Sequence, residues 1–461
     1  MTDYSALLQP DIGQTARTIH LIAKADCDTW LNAQPERIRA MAAAQRFGAK
    51  PGELLIAPGE QADDWSIILG APDTMGPWDL AGAAAKLPGG TYRLSTGDPG
   101  LGALGWLLAH YQFDRYRPKA DPMPERVLLS TAPAAIAETV RLAQATALVR
   151  DMVNTPAADM GPAMIEAQAA AVAAAHKAVL TVTKGDALET GYPMIHAVGR
   201  AADRIHAPRL IELEWGKPDH PRLAIIGKGV AFDSGGLDIK PSSGMRFMKK
   251  DMGGAAHALA LAQLVMQAGL PVRLHLLIPA VENAISANAF RPGDILTSRS
   301  GLTVEIDNTD AEGRLVLGDA ITKAGEDGAA LIIDFATLTG AARVALGPDL
   351  PALFANDDAL AASLSVGADA VHDPLWRLPL WPRYNDMLKS DIADLVNSPE
   401  GGMAGAVTAA LFLQRFVKPD TAWAHFDTFA WRSSSTPGRP KGGEALGLRA
   451  SWEMLKARFG G

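Results

Sequence analysis

Apolar residues recur along this chain in two rhythms. Short runs rich in valine, isoleucine and leucine occur at WSIIL (65–69), RVLL (126–129), RLAIIG (222–227), VRLHLLIPAV (272–281), LTVEI (302–306) and ALIIDFA (330–336). They are short and bounded by turn residues, which predicts strands. In the second half the runs are apolar at successive positions, as expected for a sheet covered on both faces. Longer stretches repeat at helical spacing. LGALGWLLAHYQF (101–113) predicts a helix, as does RLVLGDAITKA (314–324) just after LTVEI. TAPAAIAETVRLAQATALVRDMVN (131–154) predicts one long amphipathic helix. It stops at Thr155-Pro156, because the residue before a proline avoids the helical region. The Ala-rich stretch at 167–178 also reads as helix.

Strands alternating with helices predict an α/β fold. A chain of 461 residues exceeds what one hydrophobic core usually serves, so two domains are expected. The segment YRPKADPMPE (116–125), rich in proline and charge, reads as a connection near the boundary. The predicted division is a smaller N-terminal α/β domain over 1–130, a linker helix over 131–156 and a larger C-terminal α/β domain over 157–461. The uncharged stretch from Met252 to Val272 contains His257, Gln263 and Gln267 and ends its helical pattern at Gly269. It predicts a buried helix and no membrane span.

Composition narrows the field. The net charge of -8 argues against nucleic-acid phosphate as the main partner, although a local basic patch would escape a global count. The single cysteine, Cys27, permits no intrachain disulfide and no Cys-rich zinc site. The N-terminus, MTDYSALLQPDIGQ, has neither a basic start nor an apolar h-region, so no signal peptide is expected. A cytoplasmic, reducing compartment fits.

Chemistry concentrates in two stretches. GKGVAFDSGGLDIKPSSGMRFMKKDMGGAAH (227–257) begins where a strand runs out and carries Lys228, Asp233, Lys240 and Asp251 along a Gly-rich path. NTDAEGRL (308–315) places Asp310, Glu312 and Arg314 at alternate positions between LTVEI and a helix. Each charge also has an ordinary role. Asp310 and Glu312 could be solvated loop acids, and Lys228 could face water. Arg314 could pair with Glu312, and His257 could be a plain helix residue. Asp251 could cap the helix that begins near Gly253. A phosphate-cradling loop is an alternative, but the absence of G-x-x-x-x-G-K-[ST] and G-x-G-x-x-G argues against a nucleotide site. Taken jointly, the four acids lie in loops near strand ends that could converge on one sheet edge. Four carboxylates in one pocket repel one another unless cations sit among them. Two divalent metals would supply those cations. Mn²⁺ or Mg²⁺ suits the oxygen donors, and Zn²⁺ also fits.

These residues carry a family resemblance. NTDAEGRL, GKGVAFDSGG, Ile239-Lys240, DMGGAA, DMVNTP (151–156) and ATLTGA (336–341) resemble the leucyl aminopeptidase (cytosol aminopeptidase) family of dinuclear metallopeptidases. The resemblance runs from about residue 150 to the C-terminus and is weak before that, mainly AHYQFDRY (109–116). It implies a catalytic C-terminal domain with a mixed, mostly parallel central sheet. It implies removal of the first residue of peptides, favouring leucine and other bulky apolar residues. Lys228, Asp233, Asp251, Asp310 and Glu312 would be metal ligands, with Asp233 and Glu312 bridging two ions (Mn²⁺ or Zn²⁺) and Lys228 binding as a neutral amine. Lys240 would polarise the scissile carbonyl, and Arg314 would hold a bicarbonate serving as general base. Met248 would line the pocket for the first side chain, and Thr337, Leu338 and Gly340 would position the peptide. A homohexamer in the cytoplasm is implied as well. Met248 could equally be core filler.

Asp238 departs from the pattern, standing where many members carry a small polar residue. If it faces the pocket, it could keep Lys240 protonated or divert it. Two other functions compete. A dinuclear phosphoesterase could use Lys249 and Lys250 to clamp phosphate. A DNA-binding role would fall to the N-terminal part.

Overall fold

The apolar runs of the second half become the middle of a nine-stranded sheet. Its strands are β1 (Val179–Lys184), β2 (Arg209–Trp215), β3 (Arg222–Gly227), β4 (Gly229–Asp233), β5 (Arg273–Asn283), β6 (Leu331–Ala336), β7 (Ala352–Ala355), β8 (Trp376–Arg377) and β9 (Ala422–Asp427). They lie in the order β8-β7-β9-β6-β3-β5-β2-β1, with β4 paired to β5 outside that path. The central pairs β9/β6, β6/β3 and β3/β5 are parallel, while β7/β9, β5/β2 and β2/β1 are antiparallel. The sheet is thus mixed, with a parallel centre. In this computed structural model, residues 2–59, 61, 64–117 and 123–460 are described. Part of the connection expected at 116–125 lies outside the described residues.

Chain contacts divide the molecule into two compact units, Met1–Ala147 with Ser434–Lys441, and Leu148–Ser433 with Gly442–Gly461. The fold is a two-domain α/β architecture. The long helix Pro133–Asn154 carries the point of division within it. In the smaller unit six strands pair in the order Leu8–Pro10, Arg126–Ser130, Gly90–Leu94, Arg17–Ala23, Trp65–Ala71 and Leu54–Pro58. Only the last pair is antiparallel. Tyr92, Trp106, Leu107 and Leu128 lie in its core.

In the larger unit the uncharged stretch after Met252 forms α1 (Gly253–Ala268), buried along nearly its whole length. Small side chains let the helix pack closely on the sheet, and Gly269 ends it with a left-handed φ of 64°. No helix among the described residues is long and apolar enough to cross a membrane. His257, on α1, is a satisfied core residue. Its Nδ1 lies 2.7 Å from Gly253 O, and its Nε2 accepts from Leu446 N–H at 3.0 Å.

One expectation about the sheet needs correction. Thr303–Glu305, from LTVEI, is not a strand of the main sheet. It joins a three-stranded sheet with Ile295–Thr297 and Leu395–Val396. A run this short reports strand character but not which sheet the strand enters. The helix α2 that follows spans Glu312–Glu326, so Glu312 and Arg314 sit in its first turn and not before it.

Candidate active site

Parallel strands end together, and their loops meet at one edge of the sheet. Here β3, β5, β6 and β9 deliver Lys228, Asn283, Thr337 and Asp427 to that edge. The end of β4 brings Asp233, the Gly-rich loop after it brings Lys240, and the short 3-10 helix Met248–Met252 brings Asp251. The loop leading into α2 brings Asp310, and the first turn of α2 brings Glu312. A cavity of about 480 Å³ opens there. Its walls include Lys228, Asp233, Lys240, Met248, Asp251, Asp310, Arg314, Thr337, Leu338 and Gly340. Every site residue expected from the sequence except Glu312 is in that wall. Glu312 lies beneath it, 1% exposed.

The acids converge. Asp233, Asp310 and Glu312 each offer a carboxylate oxygen, and these lie within 4.8 Å of one another. Two ammonium groups sit among them. Lys228 Nζ is 2.7 Å from Asp251 Oδ2 and 2.9 Å from Glu312 Oε1. Lys240 Nζ is 2.8 Å from Asp233 Oδ2 and donates to Asp310 Oδ1. Four carboxylates therefore face two ammoniums, with Lys250 beside Asp251 as a third. Asp251 Oδ2 and both oxygens of Glu312 are buried without an aligned hydrogen bond. The Lys228 contacts are ion pairs by distance only. Lys228 lies against Asp251 Oδ2 and Glu312 Oε1, while for Glu312 Oε2, also buried, neither a hydrogen bond nor an ion pair is found among the described residues.

The charges respond accordingly. Burial, then Asp233, pushes the Glu312 and Asp310 carboxyls above the usual carboxylate range. Burial also opposes charge on Asp251, but Lys228 and Lys250 outweigh it and hold that carboxyl low. Burial opposes the Lys228 ammonium, yet Asp251, Glu312 and Asp233 raise it above the ordinary lysine value. A neutral Lys228, as the family resemblance implies, therefore requires divalent charge in the cluster. Burial lowers Arg314 to about 10. This set of crowded, buried carboxylate oxygens fits divalent cations. A second group, Glu212, His275 and Asp327, does not fit one ion. Glu212 Oε1 and Asp327 Oδ2 approach opposite ring nitrogens of His275, at 3.1 and 3.4 Å, and Lys323 already lies 2.7 Å from Asp327.

Asp251 does not cap α1: Met252 holds that position without a side-chain bond, and Asp251 lies one residue earlier in the 3-10 helix. Asp238 does not face Lys240. Its Oδ2 accepts from Thr309 N–H at 2.7 Å and lies 3.0 Å from Thr309 Oγ1, and its own N–H donates to Thr309 Oγ1 at 2.8 Å. It clasps the two ligand-bearing loops together. Lys249 and Lys250 do not form a clamp, because Lys249 donates to Asn154 O while only Lys250 reaches the cavity.

Sequence reasoning missed three supporting residues. Asn397, fully buried, follows the strand Leu395–Val396, which runs parallel to Thr303–Glu305. Its Oδ1 accepts from Asp307 and Asn308 N–H, its Nδ2 donates to Asn308 O, and its carbonyl accepts from Arg314 Nη1 at 2.7 Å. Asn283 Nδ2 donates to Asp233 Oδ1 and Thr309 O. Asp427 accepts from Leu338 and Thr339 N–H and fixes the turn after β6. The signal was a polar residue at the end of a largely apolar strand: Asn283 in PAVEN, Asn397 in DLVN and Asp427 in AHFD. Glycine is required at Gly235, whose φ is 87°, and at Gly313, where a Cβ would stand 2.7 Å from Lys228 Nζ.

Comparison with known proteins decides the family. Residues 147–451 match the cytosol aminopeptidase family, catalytic domain, and residues 18–129 match the M17 aminopeptidase N-terminal domain. The chain belongs to the cytosol aminopeptidase family. It is a metal-dependent aminopeptidase, a hydrolase acting on peptides. A probable cytosol aminopeptidase of Syntrophotalea carbinolica is 42% identical over 369 residues, covering 76% of this chain and 73% of that one. Peptidase B of Yersinia pseudotuberculosis is 44% identical over 321 residues, covering 67% of this chain and 74% of that one. The crystal structure of cytosol aminopeptidase from Coxiella burnetii superposes with a TM-score of 0.93 at 45% identity, covering 98% of this chain and 99% of that one. The bottromycin maturation enzyme BotP in complex with Mn gives 0.85 at 32% identity, covering 96% and 100%.

Proposed function

We propose that this cavity releases single residues from the N-terminus of peptides, favouring leucine and other bulky apolar residues. The observation that carries it is the cluster of Asp233, Asp310 and Glu312 within 4.8 Å, set at the floor of a cavity, with Glu312 Oε2 buried and without a hydrogen bond among the described residues. Lys228, Asp233, Asp251, Asp310 and Glu312 would hold two divalent ions, Mn²⁺ or Zn²⁺. A neighbour solved with Mn supports the first choice. Bound there, the ions supply Lewis acidity that polarises a peptide carbonyl and lowers the pKa of water.

The chain's own groups supply the rest. Lys240 is the catalytic cation: burial opposes its charge, but Asp233, Glu312 and Asp310 keep it an ammonium. It would donate to the scissile carbonyl oxygen as negative charge develops there. Arg314 is tied by Nη1 to Asn397 O, while its buried Nε makes no hydrogen bond among the described residues. That leaves donors for a small planar anion, bicarbonate, as general base. Met248 would line the pocket for the first side chain, with Thr337, Leu338 and Gly340 along the peptide. Leu338 N–H already donates to Asp427, so a peptide contact there would use its carbonyl.

The proposed division remains an N-terminal domain at 1–130, a linker helix at 131–156 and a catalytic domain at 157–461. Every residue given a role lies in the last. The relatives' name, cytosol aminopeptidase, supports a cytoplasmic location. A homohexamer is proposed, and exposed apolar side chains at Trp376, Trp381, Ile392 and Met403 support association. Gel filtration should then show several times the chain mass of 48.6 kDa; a fully active monomer would remove the hexamer from the proposal.

The direct test uses leucine-p-nitroanilide. Hydrolysis should disappear on chelation and return with Mn²⁺, Zn²⁺ or Co²⁺, with two ions bound per chain. Full activity after exhaustive metal removal would overturn the site.

A further inference from the structure

Trp423, His425 and Asp427 alternate along β9 and so share one face of the sheet. On β6, Asp334 stands opposite His425, and Ala336 opposite Asp427. Asp334 and His425 are both fully buried. Asp334 Oδ1 lies 2.6 Å from His425 Nδ1, and its Oδ2 accepts from Trp423 Nε1 at 2.7 Å. The imidazole stacks with the rings of Phe354 and Trp423, their centroids 5.9 and 6.1 Å away. Its Nε2 is buried without a hydrogen bond among the described residues, so Asp334 is what orients the ring. No step of the proposed reaction uses this pair. Stability does not call for it either, since apolar residues in place of a buried ion pair often leave a core as stable or more so.

We propose that His425, held by Asp334, is a positioning residue: its charge keeps the Asp427 carboxylate ionised, and that carboxylate holds the turn along which the peptide lies. The proposal rests on the aminopeptidase function of the cavity. Asp427 lines the cavity and is 5% exposed. It accepts from Leu338 N–H at 3.0 Å, Thr339 N–H at 3.2 Å and Thr339 Oγ1 at 2.6 Å. A proton on Asp427 would turn one of its oxygens from acceptor to donor. The same turn begins at Thr337, whose Oγ1 donates to Asp251 Oδ1 at 2.8 Å, so slack there would reach a proposed metal ligand. Burial pushes the Asp427 carboxyl up, and His425 is the largest influence against that, ahead of the Thr339 and Leu338 donors. Burial opposes charge on His425 too, but Asp334 outweighs it and raises the imidazole above its ordinary value. Asp427 acts on the ring in the same sense, and Arg314, on α2, acts against it. Arg314 in turn feels Asp427 as a favourable charge. On the other side of β9, β7 places the uncharged Phe354 opposite His425.

The test compares His425→Gln with the wild type on leucine-p-nitroanilide, both metal-loaded, from about pH 6 to about pH 9. The ratio of the two kcat/KM values at each pH cancels the limb that both owe to the substrate amine. Without the imidazolium, Asp427 takes up its proton at a higher pH. The loss therefore belongs to the acid end and disappears as pH rises. The variant-to-wild-type ratio should fall about tenfold from the alkaline to the acid end, since one proton on one carboxylate changes its ionised fraction at most tenfold per pH unit. Asp334→Asn leaves His425 without its counter-charge and should give the same pH dependence, so it serves if His425→Gln does not fold. An Asp427→Asn background has no proton to gain there, and in it His425→Gln should change kcat/KM by less than about twofold. A loss independent of pH, or one that persists undiminished in the Asp427→Asn background, overturns the proposal and leaves His425 a core residue. Absence of chelator-sensitive hydrolysis by the wild type would instead remove the aminopeptidase function on which it rests.

Discussion

Acetylating the α-amine of a peptide should lower kcat/KM by ~10³ or more, a loss of roughly 4 kcal/mol in transition-state stabilisation. Leu-Gly-Gly and N-acetyl-Leu-Gly-Gly make the comparison. The cavity floor is crowded with Asp233, Asp251, Asp310 and Glu312, so its acidic end is where a peptide's amine would be drawn. Asp251 is kept anionic, because Lys228 and Lys250 outweigh its burial. It can take an N–H from an amine. An acetamide offers one N–H, no basic lone pair and extra bulk in a cavity of about 480 Å³. Binding and rate should fall together, because both effects act where the substrate is anchored. The free amine should also give the pH–rate profile an acidic limb below its pKa of about 7.7–8.0, where protonation removes the lone pair. Comparable turnover of the two peptides would show that the amine is not held among these acids.

What could be read from the sequence followed physical lines. The long apolar runs RLAIIG, VRLHLLIPAV and ALIIDFA form β3, β5 and β6, because burial on both faces leaves a continuous apolar signature. The uncharged stretch whose helical pattern ends at Gly269 forms α1 for the same reason of local consistency. The short LTVEI strand was legible, but not its membership of a separate sheet, since pairing depends on a distant partner, Val304 opposite Leu395 and Glu305 opposite Val396. The charged residues of the site were visible because NTDAEGRL and GKGVAFDSGG concentrate them. Their supports were not. Asn397, Asn283 and Asp427 act through hydrogen bonds across long sequence separations, and one asparagine at a strand end has no periodicity to betray it. Asp238 shows the opposite error. Its closeness to Lys240 in sequence suggested a shared pocket, whereas the loop turns it toward Thr309.

Replacing Glu312 by glutamine should abolish most turnover while leaving the metal-free fold as stable as the wild type or more so. Glu312 is 1% exposed, and neither of its oxygens accepts an aligned hydrogen bond. Burial, then Asp233, pushes its carboxyl upward, so its ionised form is held at a cost to the fold. Glutamine keeps the shape and removes the charge. Lys228 loses one ion-pair partner but keeps Asp251 at 2.7 Å. In chelator, the melting temperature of Glu312→Gln should therefore equal or exceed that of the wild type. On adding Mn²⁺ or Zn²⁺ the wild type should gain stability in proportion to its affinity, and the variant should gain much less. Losing several kcal/mol of transition-state stabilisation should lower kcat/KM by roughly 10³. The two measurements separate the roles. A variant that bound two ions at the wild-type rate would remove Glu312 from the metal site. A variant that melted well below the wild type in chelator would make it a structural partner of Lys228. The expected combination, a fold no weaker and a centre that no longer works, is what a carboxylate retained for chemistry at the expense of stability should give.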